Sequence, residues 1–595
     1  MGVWSKMRPR QRSEGSDVNV APPEIATTTD HEKTPAVDTP ADGNSSLTED
    51  ALPAEDVTEG VKDMEAITLV WTKKSLITLF ICIWFVYLLN AFQSSTVGNL
   101  VPYVTSSWGA HSLLNVIDVV ASSMTAAVFI PLAKLLDLWG RAEGYMLMVA
   151  FSELGLILMA TSTNLPVYCA ANVFYQVGFT GLIYSIDVMT ADATNLKNRA
   201  LAYAFTSSPY MISAFAGSYA SDRMLADIGW PWGFGTFAFL TPVVCAPLYI
   251  LLKVNLRKAK KNILPKKSSG RTFKESAWHY LVEFDVLGVF LFATGLIIFL
   301  LPFNIAASAP DGWATGYIIA MIIVGFVLLV GFGINEVYIA PVPFLKFHFL
   351  TDRTLVGACL LDFTYQLSYY CWNNYFTSFL QVVNYLTVAE AGYIGNTFNV
   401  VSGVLLFIVG WGIRKTGYFK WLLWIGVPLY TFAQGLMIYF RSPTGYVGYL
   451  VMTQIFISVG GSVFTICMQL AVLAAVDHQH VAAALAMLSV TGTAGGSIGY
   501  TISGAIWTNT FEKALVKYLP SSALDNLTDI YGNLEVQLSY AKGSPERIGI
   551  QKAYGYAQTR MLAAGTAIMA LSFVWVALIR NLKVSEMKQT KGNVF

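Results

Sequence analysis

Long apolar segments recur along this chain, each about 18 to 27 residues in length. A helix of that length crosses the hydrocarbon core of a bilayer, about 30 Å thick, with all of its backbone hydrogen bonds satisfied. Only 13% of the residues are charged, against about a quarter in soluble proteins. The sequence therefore predicts an all-α integral membrane protein with the lipid bilayer as its surroundings. The fourteen predicted transmembrane spans are 75–98, 112–134, 144–162, 166–189, 200–220, 231–252, 284–304, 313–337, 354–380, 388–412, 420–440, 446–472, 481–507 and 560–580.

Basic residues are distributed unevenly among the connecting loops. Loops with several Lys or Arg follow spans 2, 4, 6, 8 and 10, and the loops between them hold at most one. Because basic loops stay in the cytoplasm, both termini are predicted to be cytoplasmic. Residues 1–68 are rich in Ser, Thr, Pro, Asp and Glu, which predicts a disordered cytoplasmic tail. A net charge of +1 favours no nucleic-acid partner.

One loop pattern occurs twice. The loop after span 2 contains Asp137, Gly140 and Arg141, and the loop after span 10 repeats the spacing, with Arg414 at the position of the acid and Gly417 at that of the glycine. Duplicated loops are typical of carriers built from two related halves. This loop resembles the signature loop of the major facilitator superfamily. The alternative is a tight turn with positive-inside charge.

The resemblance implies two six-helix bundles around a central cavity, with spans 7 and 8 inserted between them. It also implies that Asp137, Gly140 and Arg141 form a cytoplasmic latch. Within the external loop, the spacing of apolar residues from Phe511 to Leu519 predicts an amphipathic helix on the membrane surface. The predicted domains are a tail at 1–68, a first bundle at 69–252, a basic cytoplasmic linker at 253–283, inserted helices at 284–353, a second bundle at 354–580 with an external loop at 508–559, and a cytoplasmic tail at 581–595.

Polar residues follow helical spacing inside several spans. A polar side chain in a membrane helix faces protein or water rather than lipid, so such stripes predict a cavity wall. Hydrogen bonding between helices uses the same residue types and is the alternative. The predicted solute-binding residues are Tyr87, Asn90 and Ser94 of span 1; Asn172, Gln176, Thr180 and Tyr184 of span 4; Tyr210 of span 5; Tyr365, Gln366, Tyr369, Trp372 and Asn373 of span 9; and Gln454, Ser462 and Gln469 of span 12.

The predicted cavity is rich in aromatic rings and amides and has few charges. Such a wall suits a bulky, polar, nearly neutral solute. The sequence contains no Gly-rich loop ending in Gly-Lys-Ser/Thr to hold ATP, so a proton gradient is the expected energy source, without a cofactor. The carrier is expected to be a carboxylate that desolvation can keep neutral in one state. The candidates are Asp187 and Asp362, followed by Asp118 and Glu153.

Several segments resemble the fungal siderophore-iron transporter family of that superfamily. They are Asp137–Gly144, Tyr184–Asp192, Asn195–Leu201 and Tyr554–Arg560. The resemblance implies proton-coupled import of ferric hydroxamate siderophores, with triacetylfusarinine C the first choice and ferrichromes an alternative. It also implies residence in the plasma membrane or in endocytic vesicles, and an external-loop gate that includes Tyr554 and Tyr556.

A protein metal site is not expected, because the chelator already fills the coordination sphere of iron. We expect a monomeric, non-enzymatic carrier. The main alternative is a proton-coupled multidrug or small-molecule exporter of the same superfamily, whose fifth helix is usually rich in glycine, unlike Ser207–Gly217 here. A membrane ferric reductase would need His pairs along its helices, and a non-transporting nutrient sensor is a further alternative.

Overall fold

The computed structural model describes residues 59–262, 272–342, 347–477 and 480–586. Within these ranges the chain is helical, and its one β-type pairing is an isolated bridge between Tyr418 and Lys583. The α-helices are α1 (Glu59–Val70), α2 (Lys73–Ser106), α3 (Leu114–Leu138), α4 (Arg141–Ala160), α5 (Leu165–Asp192), α6 (Leu196–Ser207), α7 (Pro209–Asp227), α8 (Trp230–Asn262), α9 (Phe273–Glu283), α10 (Val286–Leu300), α11 (Pro302–Ile305), α12 (Gly316–Ile334), α13 (Phe347–Thr351), α14 (Arg353–Asn373), α15 (Phe376–Asn384), α16 (Val388–Gly395), α17 (Thr397–Thr416), α18 (Lys420–Phe440), α19 (Val447–Ala474), α20 (Val481–Tyr518), α21 (Leu527–Gly532), α22 (Leu534–Ser539), α23 (Pro545–Met569) and α24 (Ser572–Leu578).

Among the described residues, eleven helical stretches are long and apolar enough to cross a membrane. They contain α2, α3, α4, α8, α10, α12, α17, α18, α19, α20 and α23. The other three predicted spans coincide with α5, with α6 and α7, and with α14, which are helical but less apolar. Two of these four helices, α5 and α14, carry polar stripes, and the same side chains lower their hydropathy. The count of fourteen spans therefore stays a prediction.

The first group of helices comprises α2 to α8. Helix α2 packs against α7 and α8, and α4 packs against α5 and α8. Two glycines bring α4 and α5 into backbone contact, since a Cβ at Gly155 would collide with the backbone of Tyr175 and a Cβ at Gly178 with that of Ser152. Small residues at such crossings let membrane helices approach closely. The first group is therefore held partly by shape complementarity at α4 and α5.

The second group comprises α14 to α20, α23 and α24. Helix α14 packs against α20 and α23, while α19 packs against α17 and α18. The two groups meet along two seams, one between α3 and α20 and one between α17 and the α6–α7 pair. Counted by predicted spans, the second span of each group thus contacts the fifth span of the other. This exchange has the symmetry expected of two related halves.

Helices α10 and α12 pair with each other, and α10 also contacts α3 and α20. Lys134 of α3 donates to the backbone oxygen of Glu283 at 2.8 Å, just before α10. At the other end of α10, the buried side chain of Asn304 occupies space that a Cβ at Gly504 of α20 would need. Most residues of α12 are exposed and apolar, which suits contact with lipid.

Three sequence-based boundaries need correction. Residues 59–68 are not disordered, because they belong to α1, whose apolar residues pack on the first group; residues 1–58 lie outside the described part. The linker 253–283 is largely helical, since α8 continues to Asn262 and α9 begins at Phe273. Residues 263–271 of that linker, and 587–595 of the final tail, are not described.

The predicted external loop is shorter than 508–559. Helix α20 continues to Tyr518, and α23 begins at Pro545. Phe511 and Leu515 are fully buried in this continuation, so the predicted helix on the membrane surface is wrong. Their apolar face packs under α21 and α23 instead of on lipid headgroups.

Replacing Gly155 with Leu is expected to destabilise the fold, because the new side chain would overlap the backbone of α5. Overpacking of this kind costs about 1 to 3 kcal/mol. Gly331→Leu on α12 is the matched control, since a Cβ there has open space. We expect a lower melting temperature of the purified protein for Gly155→Leu alone. Equal melting temperatures for the two variants would contradict the tight crossing.

Candidate functional site

A cavity of about 210 Å³ lies where α3, α5, α14 and α20 meet, between the two helix groups. Its wall offers amides, hydroxyls and phenols together with one carboxylate. Sites for drug-sized ligands usually measure about 300 to 1,000 Å³, so the cavity must widen to hold a bulky solute. The lining residues are Asp118, Ala121, Ser122, Thr125, Gln176, Thr180, Gln366, Tyr370, Gly492, Thr493, Gly496 and Tyr500.

Four predicted site residues share this wall, namely Asp118, Gln176, Thr180 and Gln366. Sequence reasoning missed the contribution of α20. Gly492, Gly496 and Tyr500 recur every four residues and therefore lie on one face of the helix. That spacing was readable in the sequence, although two of the three residues are glycines and a search for polar side chains passes over them.

Asp362 lies beside this cavity rather than in its wall. Its carboxylate is buried and occupies the position that a Cβ of Gly492 would need. Gln366, one turn away on α14, interacts with the same carboxylate. Asp362 is therefore connected to the cavity through a lining side chain.

Asp187 joins three helices near the end of α5. The hydroxyl of Tyr87 on α2 donates to Oδ1 at 2.5 Å, and Nε2 of Gln469 on α19 donates to Oδ2 at 3.4 Å. Tyr210 contacts the ring of Tyr87 edge to face. Tyr203, which was not predicted, donates to the backbone oxygen of Asp187 at 3.0 Å. Gln469 belongs to the second helix group, so this contact crosses between the groups.

The end of the fold that contains the loop before Arg141 is termed the latch end. Arg141 pairs with Asp137 at 2.6 Å and with Asp192 at 2.9 Å, and its side chain is almost fully buried. Gly140 adopts a φ of 110°, a conformation that other residues rarely take. Asp192, the last residue of α5, was not among the predicted latch residues, although it ends the segment Tyr184–Asp192 that resembles the transporter family. On the same end, Tyr184 donates to the backbone oxygen of Ala482 at 2.5 Å and so joins the two groups.

The opposite end is covered by residues 521–544, termed the cap. The backbone oxygen of Tyr531 accepts from Ser112 at 2.6 Å, which ties the cap to the first group. Burial raises the pKa of Tyr531 to about 12, so its phenol stays neutral. Beneath the cap, Asn374 donates to Asn115 at 2.6 Å and links the two groups directly. Hydrogen bonds thus join the two helix groups at the cap end as well as at the latch end.

The two tyrosines of the predicted external-loop gate differ. Tyr554 is fully buried and donates to Gln537 of the cap at 2.8 Å. Tyr556 is exposed, with the guanidinium of Arg560 over its ring at 3.4 Å. Tyr554 therefore contacts the cap, whereas Tyr556 lies at the surface, and the gate itself stays a prediction.

The remaining predicted residues lie apart from the cavity wall. Tyr365 packs against Tyr369, and Trp372 is fully buried below the guanidinium of Arg441 at 4.7 Å. Glu153 of α4 is half-buried and lies near Cys245 of α8. Buried positions are Asn90, Asn172, Gln454 and Ser462, while Asn373 is half-buried and Ser94 is exposed.

The polar character of the site comes from protein side chains. Among the described residues, no group of three His, Cys, Asp or Glu side chains is placed to hold a metal ion. The six cysteines are free thiols at buried or half-buried positions. The arrangement offers hydrogen bonds to a polar solute and carboxylates that can exchange a proton.

Solved transporters share the fold. The chain aligns with a bacterial homolog to the human lysosomal transporter Spinster in an inward-facing and unoccupied conformation, at a TM-score of 0.51 and 14% identity over 86% of this chain and 98% of the other. It aligns equally well with a mutant of the peptide transporter POT, at a TM-score of 0.51 and 13% identity over 88% of this chain and 99% of the other. These similarities concern the fold alone.

Sequence relatives are much closer. Residues 83–361 match the Major Facilitator Superfamily model. The siderophore iron transporter mirB of Emericella nidulans is 58% identical over 93% of this chain and 92% of its own length. MFS siderochrome iron transporter 1 of Gibberella zeae is 57% identical over 91% of this chain and 90% of its own. MFS siderochrome iron transporter B of Aspergillus fumigatus is 57% identical over 92% and 89%. This chain therefore belongs to the siderophore iron transporter family within the major facilitator superfamily.

Proposed function

We propose that this chain imports ferric siderophores across the plasma membrane by alternating access, driven by proton movement. The observation that carries the proposal is a polar cavity between two helix groups that hydrogen bonds join at both ends. Asn374 and Asn115 connect the groups at the cap end, and Tyr184 and Ala482 connect them at the latch end. Opening one connection at a time would expose the cavity to one side of the membrane and then to the other.

The chemistry of the cavity supports a neutral iron chelate as the solute. Among the residues that the structure describes, its wall contains one carboxylate and no Lys or Arg, whereas a phosphate or carboxylate solute would call for clustered arginines. A ferric trihydroxamate is neutral, and its amide and carbonyl groups can bond to Gln176, Gln366 and the phenols. The names of the sequence relatives support a siderophore as the solute. Among siderophores, triacetylfusarinine C is our preferred ligand.

Asp187 is our first choice for the group that couples protons to opening. As an anion it accepts hydrogen bonds from both helix groups, through Tyr87 and Gln469. Protonation of Oδ2 removes the negative charge, so the charge-assisted bond from Gln469 becomes a weaker neutral one and the second helix group is held less tightly at the latch end. One proton moving across 100 mV supplies about 2.3 kcal/mol. Asp118 and Asp362 are secondary candidates, because they lie in or beside the cavity.

Orientation follows from the charges at the latch end. Basic residues lie in the terminal turns of helices at that end, which favours a cytoplasmic location by the positive-inside rule. They are Lys134 of α3, Lys197 of α6, and Arg414 and Lys415 of α17. With fourteen spans, both termini are cytoplasmic and the cap faces the exterior. A siderophore would then enter below the cap and leave beside Arg141. We propose a monomer as the functional unit, at the plasma membrane and in endocytic vesicles.

Replacing Asp187 with Asn is expected to remove the pH dependence of uptake, because the amide keeps the shape of the side chain and cannot carry a proton. Uptake of radiolabelled ferric siderophore, measured at external pH 5 and pH 7 in cells without other carriers, should fall about tenfold or more at pH 5. Asp227→Asn, at an exposed position at the end of α7, is the control and should behave as wild type. Wild-type pH dependence in Asp187→Asn would refute the assignment. Net efflux in the wild type would instead identify an exporter.

Replacing Gln366 with Ala is expected to raise the KM for ferric siderophore about tenfold, since one hydrogen bond to the solute is lost. The surface level of the protein should change little. Gln434→Ala is the matched control, because Gln434 is equally an amide in the second group but bonds to Ser368 away from the cavity. That control should alter protein stability and leave KM unchanged. Equal KM values for the wild type and Gln366→Ala would remove this residue from the solute site.

A further inference from the structure

Helix α1 is a buried helix that precedes the first predicted span. Val61, Met64 and Ile67 are at most 5% exposed, and even Glu65 is 8% exposed. The helix packs on α8 and on the end of α3. Its sequence mixes charged and apolar residues. The sequence alone therefore did not distinguish a helix packed against the protein from the disordered tail that we predicted. Burial of this extent shows that the first helix group has a complementary surface for α1.

The docking surface lies at the latch end. A Cβ at Gly60 would come within 2.5 Å of the backbone oxygens of Leu136 and Asp137, so only glycine allows α1 to approach the end of α3 this closely. Asp63 pairs with Lys260 of α8 at 2.9 Å. The glycine fixes the distance of α1 from α3, and the ion pair fixes its contact with α8.

Helix α1 also covers the latch arginine. A gap of about 10 Å³ separates α1 from the latch loop, which is about the smallest space that can hold one water molecule. Gly60, Met64, Gly140 and Arg141 are among the residues around it. Excluding water lowers the local dielectric and strengthens the pairs of Arg141 with Asp137 and Asp192.

We propose that α1 is an intramolecular strap that stabilises the closed latch end, with Gly60 and Asp63 as positioning residues acting through Arg141. The proposal rests on the alternating-access function proposed above and extends it to a segment outside the two bundles. When α1 leaves its surface, water reaches Arg141 and the closed latch end loses stability. The fraction of molecules open at the latch end then rises.

The test uses the full-length chain with a reporter cysteine at Ala482, whose side chain is 1% exposed beside Tyr184 in the closed state. Inside-out vesicles present the latch end to a water-soluble maleimide, and the rate of labelling at Ala482→Cys measures opening. The parent chain without the reporter gives the background of the six native thiols.

Gly60→Val should raise the labelling rate about tenfold, because the branched side chain cannot fit against α3. Gly412→Val on α17 is its matched control, since a Cβ there has open space, and it should leave the rate unchanged. Asp63→Lys should raise the rate about two- to fivefold, the effect expected from a partly exposed ion pair. Adding Lys260→Glu to Asp63→Lys restores opposite charges and should return the rate to that of the reporter chain.

Unchanged labelling in Gly60→Val, or an effect of Asp63→Lys that Lys260→Glu does not reverse, would overturn the strap. A variant that merely misfolds would not be rescued by the charge exchange. The readout needs neither solute nor protons, so it stays informative if siderophore uptake or proton coupling fails its own test. Loss of pH-dependent uptake in Asp187→Asn together with unchanged labelling in Gly60→Val would retain the proposed function and reject the strap alone.

Discussion

One half-buried carboxylate connects the two helix groups of this protein. Asp187 can remain among membrane helices because Tyr87 and Gln469 donate hydrogen bonds to it, one from each helix group. A polar group at this depth needs such partners, since lipid offers none. Because polar side chains need such partners, the polar stripes face the protein interior. For the same reason α5 and α14, which carry two of these stripes, lie at the centre of the fold.

The sequence predicted well those features that do not depend on contacts between distant parts of the chain. All fourteen predicted spans coincide with helical segments, and the membership of the siderophore iron transporter family is confirmed by relatives 57 to 58% identical to this chain. The helical spacing of polar residues also singled out Gln176, Thr180 and Gln366, and these three residues lie in the wall of one cavity. These successes share a cause, because helical spacing and hydropathy depend on neighbours within one segment.

The errors have a common physical origin in tertiary packing. Residues 59–68 look solvated by composition, yet α1 is buried because Gly60 matches the carbonyl end of α3. The apolar face of α20 beyond residue 508 meets other helices instead of headgroups. Asp192 contacts Arg141, and Tyr500 lines the cavity, only because separate helices pack together in the fold. A stripe shows that a residue faces protein, but it does not distinguish cavity from contact, as the burial of Trp372 under Arg441 illustrates.

The attachment of α10 bears on how the protein moves in its membrane. Asn304 fits the notch at Gly504 of α20, while Lys134 of α3 holds the chain before α10. Both anchors sit on helices of the seam where the two groups meet. In the alternating access proposed above, rocking at that seam would also move α10 and the lipid-facing helix α12 through the bilayer. The moving part would then occupy a larger area of the membrane than the two groups alone, and the rate of transport would depend on the hydrocarbon thickness of the bilayer.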